Sequence, residues 1–310
     1  MKTAPTAYYS HPDCALHEGA DGHPEFPLRT AAISGRLKRT GTLEKVDALQ
    51  PSQASSRALA LAHRSAHVEH IYAVDAAAEP VMLDWDTSMN AHSLRAALLA
   101  AGAVLEATDR VIDGKATNAF CNVRPPGHHA EAARAMGFCL FNNVAVAARH
   151  AVEVRGLKRV AIVDFDVHHG NGTEDIFRDD PRVMFCSSFQ YPWYPNVLTP
   201  SVDGHLCNVP LTAGTDGRGF RDAIAATWLP QLIAFKPELI FVSAGFDAHA
   251  ADPLGQLELD EDDFAWITDE MMGLARRYAS GRLVSTLEGG YDLDALAASA
   301  LSHVERLLDH

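Results

Sequence analysis

Val160-Ala-Ile-Val-Asp164-Phe-Asp166-Val-His168-His-Gly-Asn171 decides the fold. A short apolar run rich in β-branched residues ends abruptly in carboxylates and imidazoles. That pattern predicts a buried strand over 160–165 whose carboxyl end carries polar chemistry. Four more runs of the same kind lie along the chain, at 119–123, 183–187, 239–242 and 283–287, each bounded by charge, Gly or Pro. Between them run Ala-rich amphipathic stretches of helical period at 93–113, 142–155, 218–234, 261–279 and 293–308. Strands that alternate with helices predict an α/β domain whose parallel sheet is covered on both faces. No Gly/Ser-rich or Pro-rich linker and no repeat divides the 310 residues, so one domain over 1–310 is expected.

The unusual polar clusters all follow the predicted strands. They are Arg124-Pro-Pro-Gly-His128-His129, Asp164 to Asn171, Ser187-Ser188, Ser243-Ala-Gly-Phe-Asp247 and Glu288-Gly-Gly-Tyr291. Sites of open parallel sheets lie beyond the carboxyl ends of the strands, so these five segments should meet at one edge.

Alternation along a strand would put Asp164, Asp166 and His168 on one side. Asp247, from a neighbouring strand end, would join them. Carboxylates and one imidazole around an open position suit a catalytic metal better than a structural one. Asp-x-Asp alone serves equally well to cap a helix; the convergence with Asp247 and the histidines gives it weight. His128 and His129 are suited to proton transfer, each with an orienting partner, for which Asp164 (charged) and Asn171 (neutral) are candidates. Such a difference in partners raises the proton affinity of His128 relative to His129. Tyr291, after two glycines, is placed to donate to a developing oxyanion, although a GGY turn by itself more often packs a tyrosine.

Hydrophobic residues make up 47 % and charged residues 21 %, as in an ordinary globular protein, and the formal net charge is −14. An acidic surface argues against nucleic acid and suits a cationic substrate, though it also serves solubility. The five cysteines, Cys14, Cys121, Cys139, Cys186 and Cys207, form no CxxC pair and suggest isolated thiols. The first residues lack the apolar core of a signal peptide, and no stretch of about 18 apolar residues suggests a membrane span. The cytoplasm is the expected location.

Together, these motifs resemble the histone deacetylase family, in particular its bacterial amidohydrolases and class II enzymes. The resemblance rests on His23-Pro-Glu-Phe-Pro-Leu-Arg29, Arg124 to Glu131, Met136-Gly-Phe-Cys-Leu-Phe-Asn-Asn143, Val163 to Thr173, Ala244 to Pro253 and Leu287 to Tyr291, in the family's order. It implies the arginase/deacetylase fold, a three-layer domain with a central, mainly parallel sheet of about eight strands. It implies zinc held by Asp166, His168 and Asp247, with Fe²⁺ or Co²⁺ as alternatives. Asp164 then stands behind His128, and Asn171 behind His129. Asp164, Asp166, His168, Ser187 and Ser188 match a structural potassium site, in part through backbone carbonyls. Phe138 and Tyr194 match tunnel walls, joined by Gly137 and the rim residue Asp86, while Asp252-Pro253 reads as a structural turn. The implied reaction is hydrolysis of an acylated amine, with acetyl-lysine favoured over an acetylpolyamine. His128 and His129 would serve as base and acid, and Tyr291 as oxyanion donor.

One departure from the family pattern is Tyr194-Pro-Asn-Val-Leu198, where relatives commonly read Tyr-Pro-Gly-Thr-Gly. Two other readings compete: a metal-bearing binder of acylated ligands without turnover, and a ureohydrolase with two manganese ions. Loops near 10–30 and 190–206 are candidates for a contact in a homo-oligomer.

Overall fold

In the computed structural model, residues 4–20, 22–75 and 79–310 are described. The strands are β1 Ala7–Tyr9, β2 Asp47–Leu49, β3 Val81–Met82, β4 Ser88–Met89, β5 Asn118–Cys121, β6 Val160–Asp164, β7 Val183–Gln190, β8 Leu206–Leu211, β9 Leu239–Ala244 and β10 Leu283–Leu287. The α-helices are α1 Leu28–Arg39, α2 Ser56–Leu59, α3 Ser65–Val74, α4 Ser93–Ile112, α5 Asn143–Glu153, α6 Asn171–Phe177, α7 Gly217–Phe235, α8 Glu261–Tyr278 and α9 Leu293–Asp309.

Eight of the strands form one parallel sheet in the order β2-β1-β5-β10-β9-β6-β7-β8, and β3 and β4 make a separate antiparallel hairpin. The chain is thus a single α/β domain with an eight-stranded parallel sheet. Alternation along the strands builds the three layers. Val160 and Ile162 pack on one face with α4 and α5, while Ala161 and Val163 pack on the other with α1, α7, α8 and α9. The strands are buried on both faces, as parallel sheets require.

The helices start where polar caps meet an apolar face. The Asp260 carboxylate accepts from the Asp262 and Asp263 amides and completes a capping box at α8, and Asn142 and Asp292 cap α5 and α9. The four middle strands, β5-β10-β9-β6, end side by side. Their following loops are four of the five segments expected to converge; the fifth, Ser187-Ser188, lies inside β7, which runs on to Gln190 rather than ending at 187.

Strand β6 closes at Asp164, one residue earlier than expected. The alternation argument therefore stops there, and Asp166 and His168 lie in the turns beyond it. All five cysteines are buried free thiols.

Candidate metal and catalytic site

Oxygen atoms of Asp166 and Asp247 and a ring nitrogen of His168 all lie within 4.8 Å of one another, and all three residues are buried. His168 Nδ1 is 3.0 Å from Asp166 Oδ1, to which it is hydrogen-bonded, and 3.1 Å from Asp247 Oδ2. The Val167 amide donates to Asp247 Oδ1 at 2.9 Å, and the Gly289 amide donates to Asp166 Oδ2 at 2.8 Å. Asp247 Oδ2 is fully buried yet completes no hydrogen bond.

Burial, then the neighbouring Asp166 carboxylate, pushes Asp247 up to about 7. For His168, burial is outweighed by its hydrogen bond to Asp166 and by the adjacent Asp247 carboxylate, which raise it to about 10. A buried carboxylate oxygen without a partner, beside a second carboxylate, is a donor set that fits a divalent cation. Two glycines make the room. A Cβ on Gly245 would lie 2.0 Å from Asp166 Oδ2, and one on Gly289 would lie 2.0 Å from Asp247 Oδ2.

Asp164 does not join this group. It turns to the histidine pair, with Oδ2 2.9 Å from His128 Nδ1, and the expected cluster of three carboxylates is corrected accordingly. His129 Nδ1 meets Asn171 Oδ1 at 2.7 Å. The two imidazoles stack 4.0 Å apart, and His129 lies 5.8 Å from the His168 ring. Burial disfavours charge on His128, but Asp166 and Asp164 outweigh it and hold that ring well above its usual range. At His129, burial and then the adjacent His128 and His168 hold the ring well below it.

Tyr291 shares one cavity of about 190 Å³ with His128, His129, His168, Gly289 and Phe138. Burial holds its phenol well above its usual range, so it keeps its proton at neutral pH. The Arg29 guanidinium lies 4.8 Å from the ring centroid. Asp252 does more than turn the chain, because its Oδ2 accepts from the Tyr291 amide at 2.6 Å.

Gly137 and Phe138 form one wall, and both take left-handed backbone, with φ of 57° and 68°. Gly137 has no alternative residue, since a Cβ there would sit 2.4 Å from the His129 ring. Phe138, an unusual occupant of that region, is held by its amide donating to Thr87 Oγ1 at 2.9 Å. The Gly137 amide donates to Asp86 Oδ1 at 3.1 Å, so Asp86 reaches the cavity as a brace for the wall. Tyr194 faces His129 at 5.1 Å and His168 at 6.0 Å. In the altered loop, Asn196 adopts φ 58°, the conformation a glycine would supply. Ser187 pairs with Asp164 across β6 and β7 and has a buried hydroxyl without a partner; Ser188 is buried beside it.

Several residues at the site had no assigned role from sequence. Glu288 Oε2 accepts from the Gly127 and His128 amides at 2.6 and 3.1 Å, and its Oε1 accepts from Ser243 Oγ at 3.0 Å. Glu25 bridges the buried guanidiniums of Arg29 and Arg124. Their only signal was membership of the quoted motifs; nothing in the spacing says that residues 25 and 124 meet.

A cavity lined by three histidines beside buried carboxylates, at the strand ends of a three-layer α/β domain, defines the class, and similarity to known proteins gives the family. Residues 23–307 match the histone deacetylase domain model. Histone deacetylase 5 of Arabidopsis thaliana is 38 % identical over 94 % of this chain and 47 % of its own length. The polyamine deacetylase HDAC10 of Mus musculus is 37 % identical over 99 % of this chain and 47 % of its own. The crystal structure of the HDA15 HD domain superposes with a TM-score of 0.92 at 34 % identity, covering 99 % of this chain and 90 % of that one. The chain belongs to the histone deacetylase family. It spans about half the length of these two curated relatives. Among the described residues, no helix is long and apolar enough to cross a membrane.

Proposed function

We propose that this chain is a metal-dependent deacylase that hydrolyses the amide of an acylated amine, with acetyl-lysine-type side chains as substrate. The observation that carries the proposal is the meeting of Asp166, His168 and Asp247 beneath the His128–His129 pair and Tyr291 in one cavity. Those three residues would hold zinc, with Fe²⁺ or Co²⁺ as alternatives, and the bound ion supplies Lewis acidity toward a carbonyl oxygen and a lowered pKa for water.

The protein's own groups do the rest. His129, kept neutral by burial and backed by an uncharged amide, takes the proton of the attacking water and returns it to the leaving nitrogen. His128, kept charged by Asp164, stabilises the negative charge that develops. The Tyr291 phenol, protonated at neutral pH, donates to the oxyanion. Phe138 and Tyr194 flank the alkyl chain and exclude water. Asp164 and Ser187, with the backbone around Asp166, His168 and Ser188, would hold potassium; the unpartnered Ser187 hydroxyl supports that assignment.

Among the described residues, one group of three side chains could hold a metal, which favours a single ion over the two of a ureohydrolase. The test is hydrolysis of a fluorogenic acetyl-lysine amide, before and after chelation and after zinc is restored. Metal-dependent turnover is expected. No metal-dependent hydrolysis of any acylated amine would overturn the proposal in favour of a binder without turnover.

A further inference from the structure

Asn171 is the first residue of α6. The next two amides, of Gly172 and Thr173, donate to the His128 carbonyl at 3.1 and 3.2 Å, so the helix start is fixed against the histidine pair. What remains open is the end of the Asn171 side chain. A carboxamide can be turned over at little steric cost, because its oxygen and its NH2 are nearly alike in size. The two orientations are opposite in chemistry. With Oδ1 toward His129, the ring must donate from Nδ1, and Nε2 keeps its lone pair. With Nδ2 toward His129, Nδ1 must accept, and the hydrogen sits on Nε2, where it blocks proton uptake.

Glu131 decides between them. Its Oε1 accepts from Asn171 Nδ2 at 3.0 Å, and a carboxylate has nothing to donate. The Met136 sulfur, also an acceptor, lies 3.3 Å from the same nitrogen. Both groups draw Nδ2 to their side, which leaves Oδ1 for His129 Nδ1 at 2.7 Å. Neither Glu131 nor Asn171 lines the catalytic cavity.

The carboxylate is itself held in place. His63 Nδ1 meets the Glu131 carbonyl at 3.0 Å, and its Nε2 accepts from the Asn142 amide at 2.9 Å, so one ring closes both ends of the segment 131–142. Burial, more than the neighbouring His67 ring, lowers His63 to about 3, so the ring stays neutral and can donate and accept at once. The Ala132 amide donates to Asp175 Oδ2 at 2.9 Å, which ties the same segment to α6. Arg134 Nη2 lies 3.3 Å from Glu131 Oε1.

We propose that Glu131 is a positioning residue for deacylation: it fixes the Asn171 amide, and through it the Nδ1–H tautomer of His129 that leaves Nε2 free to take a proton. The proposal rests on the deacylase reading above and adds to it the group that sets the state of its base.

The test uses the metal-loaded protein and the fluorogenic acetyl-lysine amide. E131A should lower kcat roughly tenfold or more, the share of one hydrogen bond to a charged group, with KM nearly unchanged. E131Q, whose carbonyl can accept from Asn171 and Arg134 alike, should keep most of the rate. The decisive comparison is made in N171D. A carboxylate presents an oxygen to His129 whichever way it is turned, so it needs no neighbour to orient it. In that background E131A should cost nothing, or raise the rate by removing a like charge. An unchanged kcat in E131A, the same fold-loss in wild type and N171D, or an E131Q as impaired as E131A overturns the proposal. The ¹⁵N shifts of histidine-labelled, zinc-loaded protein read the tautomer without substrate. The His129 signal, assigned by its loss in H129A, should report Nδ1–H in the wild type and move toward Nε2–H in E131A. If no acylated amine is hydrolysed, the deacylase reading falls, and the role of Glu131 stands or falls on this shift.

Discussion

Gly289 stands where no side chain fits. A methyl there would enter the space between Asp247 and Asp166, at 2.0 and 2.6 Å from their oxygens. Gly289→Ala is therefore expected to cost the protein its metal while the far side of the fold stays intact. Metal analysis of the purified variant checks this, and full occupancy would remove Gly289 from the cradle. Tyr291→Phe should keep the metal and lose about 10²–10³ in kcat, the usual cost of one oxyanion donor; single-turnover rates measure it. His129→Ala should lose most turnover and also retain metal, and near-normal rates would take His129 out of the mechanism. At this scale, the sequence revealed the pairs that share a local motif. Asp166 with His168 was legible from one hexapeptide. That Asp164 turns away to His128 was not, because the strand ends at Asp164 and the chain bends immediately after it. Asp86 and Thr87 as braces of the Gly137–Phe138 backbone were equally hidden: the hairpin and the wall are about fifty residues apart and meet only through amide hydrogen bonds.

The elements with strong period and clear caps were legible almost to the residue. The helix expected over 293–308 is α9, and the strand expected over 283–287 is β10. Those without such signals were missed. Strand β1 is only Ala-Tyr-Tyr, and β2 is a three-residue edge strand. Strand β8 contains Pro210 and Asn208, which an edge strand tolerates and a sequence pattern counts against. Helix α1 buries Arg29 on the same stripe as Ile33 and Leu37, which breaks its apolar period. Within α4, Gly102 looks like a site for stabilisation, since Gly to Ala in a helix gains up to about 1 kcal/mol. The packing reverses the sign. A Cβ at Gly102 would lie 1.9 Å from the Ser52 carbonyl oxygen. Gly102→Ala should destabilise the protein by about 1–3 kcal/mol in urea unfolding; a gain in stability would show that the 50–54 segment yields.

At the scale of the molecule, the long-range ties are ionic and buried. Burial alone would raise Glu25, but the Arg124 and Arg29 guanidiniums overcome it and bring its carboxyl down to about 2. Because the folded value lies below the unfolded one of about 4.3, the stabilisation is complete above that pH. It fades as the pH falls toward 2. Glu25→Gln leaves two buried cations uncompensated, and at neutral pH it should cost roughly 3–5 kcal/mol. Denaturant titrations of both proteins from neutral pH into acid should show the gap closing below about pH 4.3; a constant gap would contradict the assignment. Removing the metal should lower the melting temperature, and restoring it at a hundredfold excess over its Kd should return about 2.7 kcal/mol.

Glu288 has a wider consequence. One carboxylate fastens the loop after β5 to the ends of β9 and β10, so the floor of the cavity is stitched across the sheet and moves as a single piece. Among the described residues, the hairpin at 81–89 is hydrogen-bonded to itself, to one wall and to His23, while Leu83 and Met89 pack on the core. Substitutions at Glu288 therefore reach several reacting groups at once, whereas a change at the exposed Trp85 acts at the entrance. New appetites for this chain are therefore expected from changes at the exposed Trp85, which leave the carboxylate stitching beneath it untouched.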